Sequence, residues 1–312
     1  MSKVLVTGAF GQVGSDLLKA LIIKHGKDSV IATDISDPPS VFGELHSEKL
    51  DVRKPEMLKK ILLEEDVQKI YHLASILSAT GEKNPFLAFD VNIRGTYDLL
   101  RVCSEIEGMS VMIPSSIAVY GADSPKDNVS TKAPTRPGTM YGISKVTGEL
   151  LGMYFYKKFG LDVRGLRFPG LISYETQPTA GTTDYSVDMF IHAVKGLKYS
   201  CYLRADTMLP MMYMPDAIKS MINLSEADPS RLIRRIDYNV SAFSFTPSQL
   251  YSAIRKIIPG FTMDYKVDSR QEIADSWPAS LDVSDAVQEW DFRPEYSMES
   301  MVADMIMNLR KD

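Results

Sequence analysis

Cysteine is nearly missing from this chain: Cys103 and Cys201 are the only two in 312 residues, far apart and in no metal-ligand spacing. A disulfide framework is excluded as an organising device, and two free thiols point to a reducing, cytoplasmic compartment. Histidine is scarce as well, with His25, His46, His72 and His192 scattered along the chain, so no structural or catalytic metal is expected. No basic run occurs and the formal net charge is -5, which argues against nucleic acid or an anionic membrane as a partner. No apolar run approaches the ~20 residues of a membrane span. Met1 to Val6 runs straight into a predicted strand, so no signal or transit segment is expected. There is no internal repeat and no low-complexity tract. What remains is 45% hydrophobic and 24% charged, enough for one large α/β domain or a main domain with a smaller one grown onto it.

The first motif follows directly. Lys3 to Thr7 is a short apolar run that reads as a buried strand. Gly8-Ala-Phe-Gly11-Gln12-Val13-Gly14 comes next, then the helical spacing of Leu17, Leu18, Leu21 and Ile22. Strand, glycine loop and helix together form the context of a dinucleotide fingerprint, with the positive helix end aimed at a pyrophosphate. Val30 to Asp34 is a second strand ending in an acid, placed to accept hydrogen bonds from an adenosine ribose. A carboxylate there repels a 2′-phosphate, and no Lys or Arg follows until Lys49, which favours NAD over NADP.

Further on, Lys49 to Val52 reads as a strand end with Asp51 set to meet an adenine amino group. Pro55 to Glu65 reads as a helix, and Lys69 to Ala74 as a strand opening onto Ser75 and Ser78 at the mouth of the crevice; His72 reads as a packed strand residue. Pro85 to Ser104 reads as one long helix in which Asn92 is a poor local choice, able to bind nearby backbone or water. A strand over Ser110 to Pro114 leads to Ser115-Ser116, and a long Pro-, Ser- and Thr-rich loop runs from Tyr120 to Gly138. Loops of that length are usually functional. Tyr141 to Phe159 is the next helix, apolar on more than one face, which suggests a subunit interface shared with Pro85 to Ser104.

The chemistry is concentrated here. Tyr141 and Lys145 are four apart, so their side chains leave one helix face. An ammonium near a phenol lowers a proton affinity that otherwise sits near pH ~10. Ser116 could hold a substrate hydroxyl while Tyr141 takes its proton. Beyond the strand from Leu161 to Phe168 lies Pro178 to Asp184, a polar loop suited to closing over a small substrate. Strands over Tyr199–Leu203, Met208–Met214, Tyr238–Val240 and Phe261–Val267 follow, with helices over Met189–Val194 and Asp216–Glu226, one opened by the Thr246-Pro247 pair, and two more after Asp282 and Pro294.

Together these residues resemble the extended short-chain dehydrogenase/reductase family of NAD-dependent, epimerase/dehydratase-like enzymes. The likeness is carried by Gly8/Gly11/Gly14, Asp34, Asp51-Val52, His72-Leu-Ala74, Asn92 and Ser116 with Tyr141-x-x-x-Lys145. It continues through Leu73 to Pro85, Thr135 to Lys145, Pro169 to Tyr185, Leu209 to Ala217 and the stretch from Tyr238. The resemblance implies a doubly wound parallel sheet (Rossmann) with a smaller C-terminal α/β substrate-binding lid domain. Residues 1–173, with 208–242 returning, would bind NAD, and residues 174–207 and 243–312 would form the lid. It implies NAD contacts from Gly8, Gly11, Gln12, Val13, Gly14, Asp34, Ile35, Asp51 and Val52, then from Leu73, Ala74, Ser75, Asn92, Tyr141 and Lys145, and finally from Phe168, Pro169 and Ile172. Ser78, Ser116, Tyr141, Thr182 and Thr183 are the implied substrate contacts; the family often has threonine where this chain has Ser116. The implied reaction is NAD-dependent oxidation of the side-chain hydroxyl of L-threonine, a small zwitterion, to 2-amino-3-ketobutyrate in threonine catabolism; the surplus apolar residues of the helices Pro85 to Ser104 and Tyr141 to Phe159 separately point to a homodimer. A nucleotide-sugar epimerase or dehydratase uses the same first half, with Arg204, Arg234 and Arg235 open to reading as diphosphate ligands. A non-catalytic NAD-binding sensor is a third possibility, set against the tyrosine–lysine pair.

Overall fold

The computed structural model describes residues 3–175, 178 and 181–311. Its packing divides the chain into two units: 1–119, 139–167 and 221–238 form the first, and 120–138, 168–220 and 239–312 the second.

The first unit is built on a six-stranded sheet. In chain order its elements are β1 (Lys3–Thr7), α1 (Gln12–His25), β2 (Val30–Asp34), β3 (Ser47–Lys49), α2 (Pro55–Glu64), β4 (Val67–His72) and α3 (Ser78–Lys83). Then come α4 (Pro85–Ala88), a π turn (Phe89–Arg94), α5 (Gly95–Ser104), β5 (Ser110–Met112), β6 (Ser115–Ser116), α6 (Met140–Phe159) and β7 (Asp162–Arg164). Strand order is β3-β2-β1-β4-β5-β7, parallel throughout. The order reverses between β1 and β4, and that switch point opens the ligand crevice of a doubly wound sheet.

Val4 to Val6 and Val30 to Ala32 are buried without alternation, as strands covered on both faces must be. Leu58, Ile61 and Leu62 of α2 and Leu99, Leu100 and Val102 of α5 pack with Leu5, Ile31, Ile70 and Val111. Each such side chain contributes roughly 1.5–3 kcal/mol relative to exposure. α6 is fixed at both ends. The Thr139 side chain accepts from the Gly142 N–H, and Gly160 adopts φ 72° just past Phe159.

Two local expectations change. The helix from Pro85 to Ser104 is continuous but passes through the π turn centred on Asn92. The strand over Leu161–Phe168 breaks at Gly165 into β7 and β8 (Leu166–Phe168), because the Gly165 N–H turns to the Arg235 carbonyl at 2.9 Å. Ser78, expected at the mouth of the crevice, opens a short helix over 78–83.

The second unit contains β9 (Gly170–Ile172), α7 (Tyr185–Val194), β10 (Tyr199–Cys201) and β11 (Leu209–Tyr213). α8 (Met214–Glu226) and β12 (Tyr238–Asn239) carry the chain through its last crossings between units. β13 (Phe243–Phe245), α9 (Pro247–Ile257), β14 (Met263–Tyr265), α10 (Arg270–Ser276), α11 (Ser284–Trp290) and α12 (Met298–Leu309) complete it. β11 pairs parallel with β9 and antiparallel with β13, and β10 pairs parallel with β14. Thr246 opens α9 through a full capping box with Gln249. Helix α10 was not anticipated.

The Tyr120–Gly138 loop belongs to this unit and is strapped down. Lys126 Nζ donates to the Asp275 and Trp277 carbonyls, Asn239 Nδ2 donates to the Val129 carbonyl at 2.8 Å, and Thr131 Oγ1 donates to Asp285 at 2.5 Å. Its length serves attachment to residues more than a hundred positions away. Among the described residues no helix is long and apolar enough to cross a membrane.

Candidate active site

The crevice begins at the glycine loop. Gly8 has φ +65°, and a Cβ there would lie 2.6 Å from the Ala74 nitrogen, so only glycine lets β1 turn this close to the end of β4. A Cβ on Gly14 would meet the Gly8 and Ala9 carbonyl oxygens, so α1 can sit this tightly against the loop only with glycine there. Helix α1 starts at Gly11, and the N–H groups around Gln12, Val13 and Gly14 open it with no side-chain cap and no acid in the first turn, which suits a pyrophosphate.

Asp34 does more than the spacing suggests. Its Oδ2 accepts from the Phe10 N–H at 3.0 Å and its Oδ1 from the Ser36 N–H at 2.9 Å, so the carboxylate shapes the glycine loop while keeping lone pairs for a ribose. Ile35 beside it is 65% exposed, an apolar surface without cover in the chain. Asp51, expected to meet adenine, is gripped by the Arg53 guanidinium, which holds its carboxyl below the usual range. Val52 is buried against Gly95.

A buried network links the strand ends. His72 Nε2 lies 3.1 Å from Thr96 Oγ1, which donates to the Asn92 carbonyl, and His72 Nδ1 lies 2.8 Å from Thr7 Oγ1, which accepts from the Ala74 N–H. The tautomer that satisfies every group carries its proton on Nε2. Burial pulls the His72 pKa down to about 3, so the ring is neutral and structural, as a packed strand residue should be. The Asn92 side chain accepts from the Ile76 N–H at 2.7 Å and donates to the Ile76 carbonyl and to Ser144 Oγ. It thus fixes the loop carrying Leu73, Ala74 and Ser75 to helix α6.

At the end of β6, Ser116 Oγ accepts from the Ala118 N–H at 3.2 Å, which leaves its own proton to donate. Tyr141 faces it, hydrogen-bonded to Ser116. Lys145 Nζ lies 5.4 Å from the Tyr141 ring centroid and donates to the Pro114 carbonyl at 2.9 Å. Burial pulls the Lys145 pKa down to about 8 and pushes the phenol up to about 12, against the pull of Ser116. In the protein alone the lowering influence on the phenol is the Ser116 hydrogen bond, which desolvation outweighs, and the Lys145 ammonium is turned to Pro114.

Sequence reasoning missed the layer beneath. Glu149 follows Lys145 by one turn and is 8% exposed. It accepts from Ser115 Oγ at 2.5 Å and from both Nε and Nη2 of Arg167, itself 3% exposed. An acid inside the apolar run of α6, at the same spacing as Tyr141 to Lys145, was the available signal. His72, Ser75, Asn92, Ser115, Lys145 and Glu149 all line one cavity of about 20 Å³, room for a single water.

Ser78 opens α3 and is half-buried. Phe168, Pro169 and Ile172 are buried on β8, β9 and the link between them. Thr182 is buried and Thr183 half-buried, both just before α7. Thr179 and Ala180 of the polar loop lie outside the described residues. Arg204, Arg234 and Arg235 are committed to Asp275, Asp237 and Asp162, which argues against their holding a diphosphate.

Residues 4–241 match the family model described as the NAD dependent epimerase/dehydratase family. The chain is 43% identical over 309 residues to an uncharacterized epimerase/dehydratase of Staphylococcus haemolyticus, covering 98% of this chain and 97% of that one. It is similar to the X-ray structure of an L-threonine dehydrogenase from Clostridium difficile, with TM-score 0.97 and 44% identity over 100% of this chain and 98% of that one. It is also similar to a monomeric L-threonine 3-dehydrogenase from a metagenome, with TM-score 0.95 and 42% identity over 99% of each. A parallel sheet that reverses at β1 and β4, a glycine loop with an uncapped helix and a Ser116–Tyr141–Lys145 set agree with these likenesses: the chain belongs to the NAD dependent epimerase/dehydratase family, as an enzyme with NAD for its cofactor.

Proposed function

We propose that the chain oxidises the side-chain hydroxyl of L-threonine to 2-amino-3-ketobutyrate, in threonine catabolism. The observation that carries this is the Ser116–Tyr141–Lys145 set in a chain 44% identical, end to end, to an L-threonine dehydrogenase. NAD supplies the acceptor for the hydride that leaves the carbinol carbon. Ser116 donates to the substrate oxygen and Tyr141, as phenolate, takes its proton. Lys145 stabilises that phenolate and holds the ribose of the nicotinamide. Ser78, Thr182 and Thr183 bind the amino and carboxylate groups. Ser116 in place of the family's frequent threonine keeps the hydroxyl and leaves out a methyl.

Cofactor binding is assigned to 1–173 with 208–242, and the substrate lid to 174–207 and 243–312. The cofactor preference is NAD over NADP through Asp34, and both cysteines are buried and free, in keeping with a cytoplasmic setting. The test is reduction of NAD and of NADP with a panel of hydroxy amino acids and nucleotide sugars. Threonine with NAD is expected to give the highest kcat/KM by at least tenfold. Turnover of a nucleotide sugar without threonine oxidation, or equal use of NADP, would overturn the respective assignment.

The oligomer proposed is a homodimer. Phe86 is 82% exposed, and on α6 Leu150, Tyr154 and Phe159 are 68%, 54% and 53% exposed. Helices α4 and α5 both pack on α6, so these exposed residues of α4 and α6 supply apolar surface suited to the same helices of a second copy. Sedimentation at micromolar concentration should give a dimer, and Leu150→Lys with Tyr154→Lys should give a monomer. A wild-type monomer, like the metagenomic relative, would refute it.

A further inference from the structure

We propose that Glu149 is a positioning residue for the reaction: clamped between Ser115 and Arg167, it keeps the Lys145 ammonium charged beneath Tyr141. This rests on the assignment of Tyr141 and Lys145 above. Tyr141, Lys145 and Glu149 are spaced i, i+4, i+8 on α6, so the three project along one face, with the lysine between phenol and carboxylate. Glu149 has no freedom to turn away. Ser115 Oγ and Arg167 Nε both donate to its Oε1, at 2.5 and 2.8 Å, and Arg167 Nη2 donates to Oε2 at 2.7 Å. Arg167 is held in turn by Asp237 at 3.9 Å.

A buried ion pair such as Glu149–Arg167 is a weak device for stability, because well-packed apolar side chains of similar volume often serve as well. Its placement one turn from a half-buried lysine is what the chemistry requires. From the other elements around Lys145, His72 on β4 presents a neutral imidazole and Pro114 a carbonyl, while Asn92 and Thr96 present uncharged polar groups. Among groups acting on its proton affinity, burial lowers it and Glu149 raises it. Without the carboxylate, Lys145 would lose its proton at lower pH and with it the charge that stabilises the phenolate.

The experiment is the pH profile of kcat for threonine oxidation, with NAD affinity measured calorimetrically over the same range. In Glu149→Gln the alkaline fall of both is expected to move to lower pH by about one unit, the size of one charge removed at a helical turn's distance. Glu149→Asp, which keeps the charge, should restore the wild-type position. A uniform drop in kcat with both falls unmoved, or an equal shift in Glu149→Asp, would show a role in folding alone. Should Glu149→Gln not fold, Glu149→Gln with Arg167→Met removes both ends of the pair, and a smaller shift in the same direction is expected; no shift overturns the proposal. If Tyr141→Phe proved fully active, the base assignment would fail, but the calorimetric shift would still report Glu149 acting on Lys145.

Discussion

Tyr141→Phe is expected to lower threonine turnover by about 10² to 10⁴, the usual cost of losing a general base, with a folded state close to wild type. The ring keeps its packing, and the lost phenol oxygen has Ser116 as its partner. The pH dependence gives the sharper test. In the protein alone burial holds the phenol up near about 12, so almost none is phenolate at neutral pH. Oxidised nicotinamide brings a positive charge to this crevice, which favours phenolate. Turnover should therefore rise with pH through an apparent pKa below the ordinary phenol value of ~10, and that rise should vanish in Tyr141→Phe. Near-wild-type turnover with an unchanged profile would place the base elsewhere. Lys145→Ala should lower kcat and weaken NAD binding together, since its ammonium has two tasks, whereas Ser116→Ala should cost less than Tyr141→Phe because it orients rather than transfers.

Gly14→Ala should have the other large effect, through geometry instead of proton chemistry. The new methyl would point at the Gly8 oxygen and lie 2.7 Å from the Ala9 oxygen. Both are backbone atoms of a loop already pinned by Phe10 to Asp34 and by Gly11 to Gly8, so no side chain can rotate away. Helix α1 must back off from the loop at a cost of about 1–3 kcal/mol. If NAD binds there, its affinity should fall by about 5- to 150-fold, the same energy read at the site. Calorimetric titration with NAD alongside thermal unfolding would check this, and unchanged values of both would mean the loop yields more readily than its bonds imply.

Much of this was legible in the chain because the signals were local. The glycine spacing, the acid ending β2 and the Tyr141–Lys145 interval depend on residues close in sequence, and the β1–β4 reversal follows from alternating strand and helix patterns. What stayed hidden depends on distant partners. Glu149 reads as a charge on an amphipathic helix until Arg167, 18 residues away, is seen beside it. The loop from Tyr120 to Gly138 reads as functional from its length, and its attachment through Lys126 to residues 275 and 277 has no local signal. The phenol's proton affinity could not be judged from Lys145's spacing, because the deciding influence is desolvation by the assembled walls.

Asn92 also reads differently once its π turn is considered in terms of residue count. A π turn holds one residue more than an α turn of the same span, so it behaves as a one-residue insertion accommodated within a helix. Wound regularly, the same residues would carry every later side chain around the axis by roughly 100°, one residue's worth at 3.6 per turn, taking Tyr97 off the outward face and Leu99 and Leu100 out of the core. Deleting a single residue between Phe89 and Arg94 would let the helix return to regular winding with those three still in phase, while disturbing the Asn92 amide's hold on Ile76. The turn thus takes up one codon's worth of chain without changing the phase in which the rest of the helix meets its core and its exposed face.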